Sequence, residues 1–296
     1  MARFCIVDVF AEEKYAGNPL AVVLDGADIP SGQMQRIALE MNYSETTFIT
    51  GAGERDGGWD VRIFTPTTEI PFAGHPTLGT AAVIRRELLG RPAERIVLHL
   101  GVGDVPVSFD AADPSDANGV QARMVPPVPQ FGPTHPPERV ARVLGLDPAE
   151  IDARFPVQEL STGIAITLVP LRSLDAVKRA LYRTEVVRSL EQADFARLLF
   201  FFCAETEHPE NQIHARMFAP LDGVPEDPAT GSANACLAAY LVAHGYFGAG
   251  PLEARVEQGY EMGRPSLLHI AGREEGGAIR VGVGGRVIPI ARGELL

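Results

Sequence analysis

Three side chains in this 296-residue sequence are candidates to move protons in a reaction: Glu45, His75 and Asp227. Carboxylates and imidazoles are the common general acids and bases of enzymes. Glu45 lies between a helical pattern and an apolar strand pattern, where partial loss of solvent would raise its pKa toward values useful for acid–base catalysis. Each has a structural alternative: Glu45 as a solvated loop acid, His75 as a core hydrogen-bonding group, and Asp227 as the start of an Asp-Pro turn.

Two short turns built from small residues precede predicted helices. They contain Gly74 and Gly231. Small residues let a ligand approach the backbone, and the first amides of a helix point outward at the positive end of its dipole. We therefore expect the two turns to bind a small carboxylate. The structural alternative is ordinary helix capping by Thr77, Thr230 or Ser232.

The two turns lie in segments that align with one another. Arg62–Pro71 and Arg216–Pro225 share the arginine, a phenylalanine and two prolines without a gap, and the alignment extended to twenty positions has five identities. Unrelated sequences would give about one. Each segment continues as strand, loop, helix and a glycine cap, at Gly90 and Gly245. The sequence therefore predicts an internal duplication, with two lobes whose helix N-termini face one cleft.

Apolar runs and helical spacing predict the elements that position these residues. Buried strands are expected at Phe4–Phe10, Leu20–Leu24, Thr46–Ile49, Val61–Phe64, Ile96–Leu100, Ile164–Val169, Leu198–Cys203 and His214–Phe218. Helices are expected at 32–41, Leu78–Leu89 and Ser232–Ala243. The glycines at 282–285 favour a hairpin turn, and His214 is assigned to a strand edge.

A proline-rich stretch divides the chain. Six prolines occur between Pro126 and Pro137, and proline removes amide donors and fixes φ. We expect a linker at 126–137 without a helix or a central strand. An N-terminal lobe would span 1–125 and a C-terminal lobe 138–296, with a strand near 286–296 as a candidate to pack on the first lobe.

Composition excludes several classes of function. The 26 basic and 38 acidic residues give a net charge of −12, which disfavours a broad nucleic-acid surface. No apolar run is long enough to span a membrane. The only lysines, Lys14 and Lys178, lie in charged surroundings, which disfavours Schiff-base chemistry. Three widely spaced cysteines and an N-terminus unlike a signal peptide predict a cytoplasmic protein.

Motifs spread over nearly the whole chain resemble the PhzF family, the phenazine-biosynthesis PhzF-like isomerases that share the diaminopimelate epimerase fold. The matching segments are VDVF and GNPLAV near the N-terminus, YSET around Glu45, RIFTP and GHPT in the first lobe, RMFAP and EDPATGSA in the second, and EQG and MGRPS after them. The combination is specific, although each segment alone is not.

The resemblance implies an α/β fold with two pseudo-symmetric lobes, each a curved, barrel-like, mostly antiparallel sheet around a central helix. It also implies a homodimer without a cofactor or a metal. Glu45 would be the general acid/base, and His75 and Asp227 would position and polarise the substrate. It places four residues at the substrate: Asn18, Gly74, Gly231 and Ser232.

The sequence departs from the two-base epimerases of this fold, which carry a cysteine at each helix turn. The equivalent residues here are Ala73 and Asp227, and the nearest thiol, Cys236, falls inside the second helix pattern. We therefore favour a cofactor-independent isomerase that moves a proton between carbons of a small carboxylate metabolite. Two alternatives stay open: an epimerase with Glu45 and Asp227 on opposite faces, and a non-catalytic metabolite-binding protein.

Overall fold

The computed structural model describes residues 1–89, 91–110, 119–190 and 193–296. They form two compact units, one of residues 1–125 with 284–296 and one of residues 126–283. The glycine cap expected at position 90 lies outside the described residues.

In the part of the chain that the structure describes, seventeen strands and six α-helices follow one another. The strands are β1 Ala2–Val9, β2 Asn18–Val23, β3 Thr46–Ile49, β4 Trp59–Phe64, β5 Glu69–Ile70, β6 Arg95–Leu100, β7 Gly103–Phe109, β8 Val120–Met124, β9 Gln130–Thr134, β10 Gln158–Ser161, β11 Ala165–Pro170, β12 Leu199–Cys203, β13 Ile213–Ala219, β14 Val224–Asp227, β15 Leu252–Gln258, β16 Ser266–Glu275 and β17 Ala278–Leu295. The helices are α1 Ser31–Met41, α2 Gly74–Val83, α3 Pro137–Leu144, α4 Leu174–Arg179, α5 Thr184–Ser189 and α6 Gly231–Ala243.

The first unit is a closed barrel of eight strands. Strand β1 pairs antiparallel with β2 and β17, β2 runs parallel to β3, and β3 pairs antiparallel with β4. Strand β4 runs parallel to β6, and antiparallel pairs join β6 to β7 and β7 to β8. The pairing of β8 with β17 closes the ring.

Helix α2 is the central helix of this barrel, and all ten of its residues are buried. It contacts six strands, from β1 to β8. A glycine allows the closest approach: a Cβ at Gly79 would lie 2.6 Å from Leu20 Cδ2 and 2.9 Å from Val9 Cγ2. A helix so enclosed needs apolar or small residues on every side, which explains why α2 shows no amphipathic stripe.

The second unit repeats the same order of pairings. Strand β11 runs parallel to β12 and β13 parallel to β15, whereas β10–β11, β12–β13 and β15–β16 are antiparallel. Its central helix, α6, contacts β10, β11, β15 and β16 and buries ten of its 13 residues. The predicted fold class, two pseudo-symmetric lobes that each wrap a curved sheet around a helix, is therefore confirmed.

The aligned arginines of the two units each bind a glutamate, although the glutamates themselves do not align: Gly223 is opposite Glu69. In β4, Arg62 donates to both carboxylate oxygens of Glu69, at 2.8 and 2.6 Å. In β13, the aligned Arg216 donates to both oxygens of Glu226, at 2.8 and 2.9 Å. The pairs differ in burial, because the Arg216 side chain is 7% exposed and that of Arg62 is 31% exposed.

Most predicted elements are confirmed, and β3 has the predicted bounds. The helix expected at Leu78–Leu89 is α2, which begins four residues earlier and continues as a π-helical turn over Ile84–Leu89.

The linker expected at 126–137 contains β9, which pairs with β10, and it ends at Pro137, the first residue of α3, where no amide donor is needed. Two predictions were wrong. The glycines at 282–285 lie inside β17, where a Cβ at Gly284 would lie 2.7 Å from the carbonyl oxygen of Ala122. His214 lies in β13, between β12 and β15, and is fully buried.

Candidate active site

The structure brings Glu45 and His75 together in the first unit. Glu45 immediately precedes β3, and His75 is the second residue of α2. His75 Nε2 lies 3.4 Å from Glu45 Oε2, and the two side chains are 4% and 16% exposed. The distance is longer than that of an ordinary hydrogen bond. Glu45 is therefore the partly dehydrated carboxylate that the sequence predicted, rather than a solvated loop acid.

A buried hydroxyl pair fixes the two elements that carry these side chains. Thr47 Oγ1 in β3 lies 2.8 Å from Thr80 Oγ1 in α2, and both threonines are fully buried. Thr47 lies two residues after Glu45, and Thr80 lies in the same helix as His75. The hydroxyl pair thus ties the strand that begins after Glu45 to the helix that carries His75.

His75 is a neutral imidazole near pH 7. Burial lowers its pKa to about 3, because the protonated ring has lost its solvent. A neutral ring has one donor and one acceptor nitrogen. It can therefore donate to the Glu45 carboxylate, or accept a proton shared with it, without adding a positive charge to the site.

The N-terminus of α2 has amides that no side chain caps. Ala73 is the N-cap residue and makes no side-chain cap, and the first turn contains no acidic residue. The hydroxyl of Thr77 donates to the Ala73 carbonyl at 2.7 Å, which excludes Thr77 as a cap. Gly74, the first helical residue, is buried beside His75. This end of the helix retains the outward amides of an anion site.

Asn18 opens β2 and is fully buried opposite Val9 of β1. The loop before it is unusual, because Phe10 and Tyr15 both have positive φ, at 61° and 69°. Such conformations are uncommon for bulky residues and cluster at functional sites. The Tyr15 amide donates to the buried Asp8 carboxylate at 2.7 Å, which holds the loop in place.

Asp227, Gly231 and Ser232 lie together in the second unit, at the end of β14 and the start of α6. The Thr230 hydroxyl donates to Asp227 Oδ2 at 2.5 Å. Thr230 is the N-cap residue of α6, yet its side chain does not cap the helix. Helix α6 therefore starts as α2 does, with uncapped amides, no acidic residue in the first turn and a buried glycine, here Gly231.

Sequence reasoning missed the amide network behind Asp227. Gln258 and Asn234 are fully buried and bond to each other and to the turn before α6. The EQG motif pointed to position 258 without assigning it a role. The partners are more than twenty residues apart in the chain, so no local pattern could have paired them.

A buried charge cluster lies next to this network. His214 Nδ1 is 2.9 Å from Glu257 and Nε2 is 3.0 Å from Glu261. Burial alone would lower the pKa of His214, but the two carboxylates outweigh it and raise the pKa. Burial would likewise raise the pKa of Glu257, but its hydrogen bonds lower the pKa to about 2. Both shifts favour an imidazolium held between two carboxylates.

The thiol that follows the second turn does not serve as a base. Cys236 is fully buried in α6, and burial raises its pKa to about 12. In the residues that the structure describes, no group of three or more histidine, cysteine, aspartate or glutamate side chains is arranged to hold a metal ion. Nor does any described helix combine the length and the apolar character that crossing a membrane requires.

Comparison with known proteins identifies the family. The model of phenazine biosynthesis-like proteins, PhzC-PhzF, matches residues 7–293. The chain belongs to the PhzF family. A trans-2,3-dihydro-3-hydroxyanthranilate isomerase of Pseudomonas fluorescens is 36% identical to this PhzF-family chain over 301 residues, which cover 100% of both chains. An enzyme of the same name from Pseudomonas aeruginosa is 36% identical over 95% of this chain and 93% of its own length.

A solved structure shows that the similarity includes the fold. The PhzF-family phenazine biosynthesis protein of Bacillus anthracis superimposes with a TM-score of 0.89 at 25% identity, over 100% of this chain and 99% of its own. With several full-length relatives named as isomerases, the PhzF-family chain is an isomerase.

Proposed function

We propose that this isomerase moves a proton between two carbons of a small carboxylate, with Glu45 as the general acid and base and without a cofactor. The observation that carries the proposal is the pair of Glu45 and His75. The carboxylate is 16% exposed, faces a neutral imidazole at 3.4 Å, and lies beside the uncapped N-terminus of α2.

One acid–base group is enough for both proton transfers of the reaction. The Glu45 carboxylate takes a proton from a carbon made acidic by a neighbouring double bond or carbonyl, and the resulting carboxylic acid returns that proton to another carbon of the delocalised anion. His75 Nε2 orients the carboxyl group through both steps. Because His75 stays uncharged, it does not trap Glu45 as a permanent carboxylate.

The rest of the machinery would bind and stabilise the anion. The substrate carboxylate would accept hydrogen bonds from amides near Gly74 and Gly231 and from Ser232, with Asn18 as a further contact. Asp227 would position and polarise the substrate in the same reaction. One general acid–base group supplies about 10²–10⁴-fold, so fixed helix amides must supply much of the remaining rate.

The test substrate is trans-2,3-dihydro-3-hydroxyanthranilate, the compound in the names of the relatives. Turnover in D₂O is followed by NMR: transfer of the original proton gives product without deuterium, and exchange of the Glu45 carboxyl proton with solvent before its return gives product with deuterium at a carbon other than the one that loses hydrogen. Glu45→Gln should lower turnover by about 10³-fold or more while the melting temperature stays unchanged. The matched control is Glu40→Gln, an exposed site in α1 that should retain full activity. Wild-type turnover by Glu45→Gln would remove Glu45 from the mechanism.

The same experiment separates the two alternatives. An epimerase would place deuterium on the original carbon with inverted configuration. A binding protein would bind the compound at saturation without forming product or exchanging its hydrogens. The homodimer and the cytoplasmic location stay predictions from the sequence.

A further inference from the structure

The amide of Gln258 uses its full hydrogen-bonding capacity in the turn that carries Asp227. Its Nε2 donates to the Asp227 carbonyl at 2.8 Å and to Thr230 Oγ1 at 3.1 Å. Its Oε1 accepts from the Thr230 amide and from Asn234 Nδ2, both at 3.1 Å. Two donors and two acceptors are the whole inventory of a glutamine side chain.

These four bonds fix the orientation of the amide. A flipped Gln258 would turn its NH₂ group toward the Thr230 amide and toward Asn234 Nδ2, which are both donors. Asn234 cannot reverse to accommodate the flip, because its Nδ2 also donates to the Thr230 carbonyl at 3.0 Å. Since Gln258 and Asn234 are fully buried, solvent offers no replacement partner.

The orientation of Gln258 determines which way the Thr230 hydroxyl points. A hydroxyl has one proton to give. Because Thr230 Oγ1 already accepts from Gln258, that proton is free for Asp227, and it makes the 2.5 Å bond to Oδ2. The hydrogen bonds therefore run in one direction, from Gln258 through Thr230 to the carboxylate of Asp227.

The backbone beside Gln258 also supports this turn. Gly259 has φ +79°, and a Cβ there would lie 2.6 Å from the Pro228 carbonyl and 2.5 Å from the Arg264 carbonyl. Only a glycine permits such close contact in the left-handed region. The segment 258–259 thus contacts the turn 227–230 through both side chain and main chain.

We propose that Gln258 and Thr230 are positioning residues for the isomerisation, and that they act by directing a hydrogen bond onto the Asp227 carboxylate and holding the turn before α6. The expected effect of Gln258 and Thr230 on the reaction rate rests on the proposed function. Their expected effect on the structure of the turn does not depend on any activity.

The test compares three variants. Thr230→Val keeps the shape and removes the hydroxyl, Thr230→Ser keeps the hydroxyl, and Gln258→Glu replaces the donor group with an acceptor. With trans-2,3-dihydro-3-hydroxyanthranilate as the probe, we expect Thr230→Val and Gln258→Glu to lower kcat about 10–100-fold with a smaller change in KM, and Thr230→Ser to stay within about threefold. In an Asp227→Asn background, Thr230→Val should cause no further loss.

A second measurement does not depend on turnover. Hydrogen–deuterium exchange of the peptide over 226–234 should accelerate in Thr230→Val and Gln258→Glu and stay unchanged in Thr230→Ser. Full kcat in Thr230→Val, equal losses in Thr230→Ser, or an additional loss beyond Asp227→Asn would each overturn the inference. An inactive wild-type enzyme would count against the proposed function instead, and unchanged exchange in Thr230→Val would then overturn the positioning role by itself.

Discussion

Replacement of Glu257 by glutamine tests the buried charge cluster of the second unit most directly. The carboxylate is fully buried and accepts four hydrogen bonds at 2.7–2.9 Å, from the amides of Glu207 and His208, from Asn211 Nδ2 and from His214 Nδ1. Glutamine has the same shape, but it places an NH₂ group against these donors and removes the charge that faces the imidazolium.

The size of the effect follows from the pKa of Glu257. Its displacement from 4.5 to about 2 corresponds to about 3 kcal/mol of stabilisation, at about 1.4 kcal/mol for each factor of ten. Loss of one partner from a buried ion pair costs about 3–5 kcal/mol. We therefore expect Glu257→Gln to lower the free energy of unfolding by about 3–5 kcal/mol at pH 7.

Urea unfolding of wild type and variant between pH 2 and pH 9 measures this difference. Since the folded pKa of Glu257 is depressed, its contribution is complete above pH 4.5 and is lost as the pH falls toward 2. The raised pKa of His214 adds stability that is complete below pH 6.5 and is lost as the pH rises through the raised value. The difference in unfolding free energy between wild type and variant should therefore be largest between pH 4.5 and pH 6.5.

The matched control is Glu253→Gln, an exposed position in the same strand, which should change the unfolding free energy by less than about 0.5 kcal/mol. If Glu257→Gln cost no more than this control at pH 7, or if the difference stayed constant down to pH 2, the cluster would not be the ion pair described.

Three further outcomes are expected. Wild-type stability should rise by up to about 5 kcal/mol between pH 3 and pH 6.5, because the pKa of His75 is about 3 in the folded protein and near 6.5 in the unfolded chain. His75→Gln should flatten this part of the pH profile measured by urea unfolding. An unchanged profile would contradict the statement that burial lowers the pKa of His75. Tyr240→Phe should cost about 1–2 kcal/mol in thermal unfolding, because the buried hydroxyl donates to the Pro156 carbonyl at 2.6 Å; a neutral result would mean that this carbonyl finds another donor. Arg216→Ala should cost about 3–5 kcal/mol and Arg62→Ala less than about 1 kcal/mol, because Arg216 is buried and also donates to three main-chain carbonyls. Equal losses by urea unfolding would reject that explanation.

The sequence predicted those parts of the molecule that depend on local pattern. The apolar run at Thr46–Ile49 has strand length and β-branched residues, so β3 was found with its bounds. The small-residue turn before each central helix was recognisable from composition alone. Helix α3 was not predicted, although Pro137 occupies its first position, where proline is favoured, and its amphipathic residues follow.

Long-range partnerships could not be predicted. The bonds of Gln258 to Asp227 and Thr230 join residues 31 and 28 positions apart, and the salt bridge of His214 with Glu257 spans 43. Such pairs depend on which strands become neighbours, and a single sequence shows that only where related segments align. The proximity of His75 and Glu45 could be inferred from the sequence, because both residues belong to motifs of the PhzF family.

Strand β17 has a consequence for how the protein is made. The ribosome synthesises the whole of 126–283 before it adds the residues that lie between β1 and β8. Until then the nascent N-terminal unit has two open sheet edges, and such edges invite pairing with other chains. We therefore expect the order of synthesis, and not the chemistry of the site, to make this chain depend on chaperones during translation and to make it sensitive to truncation after position 283.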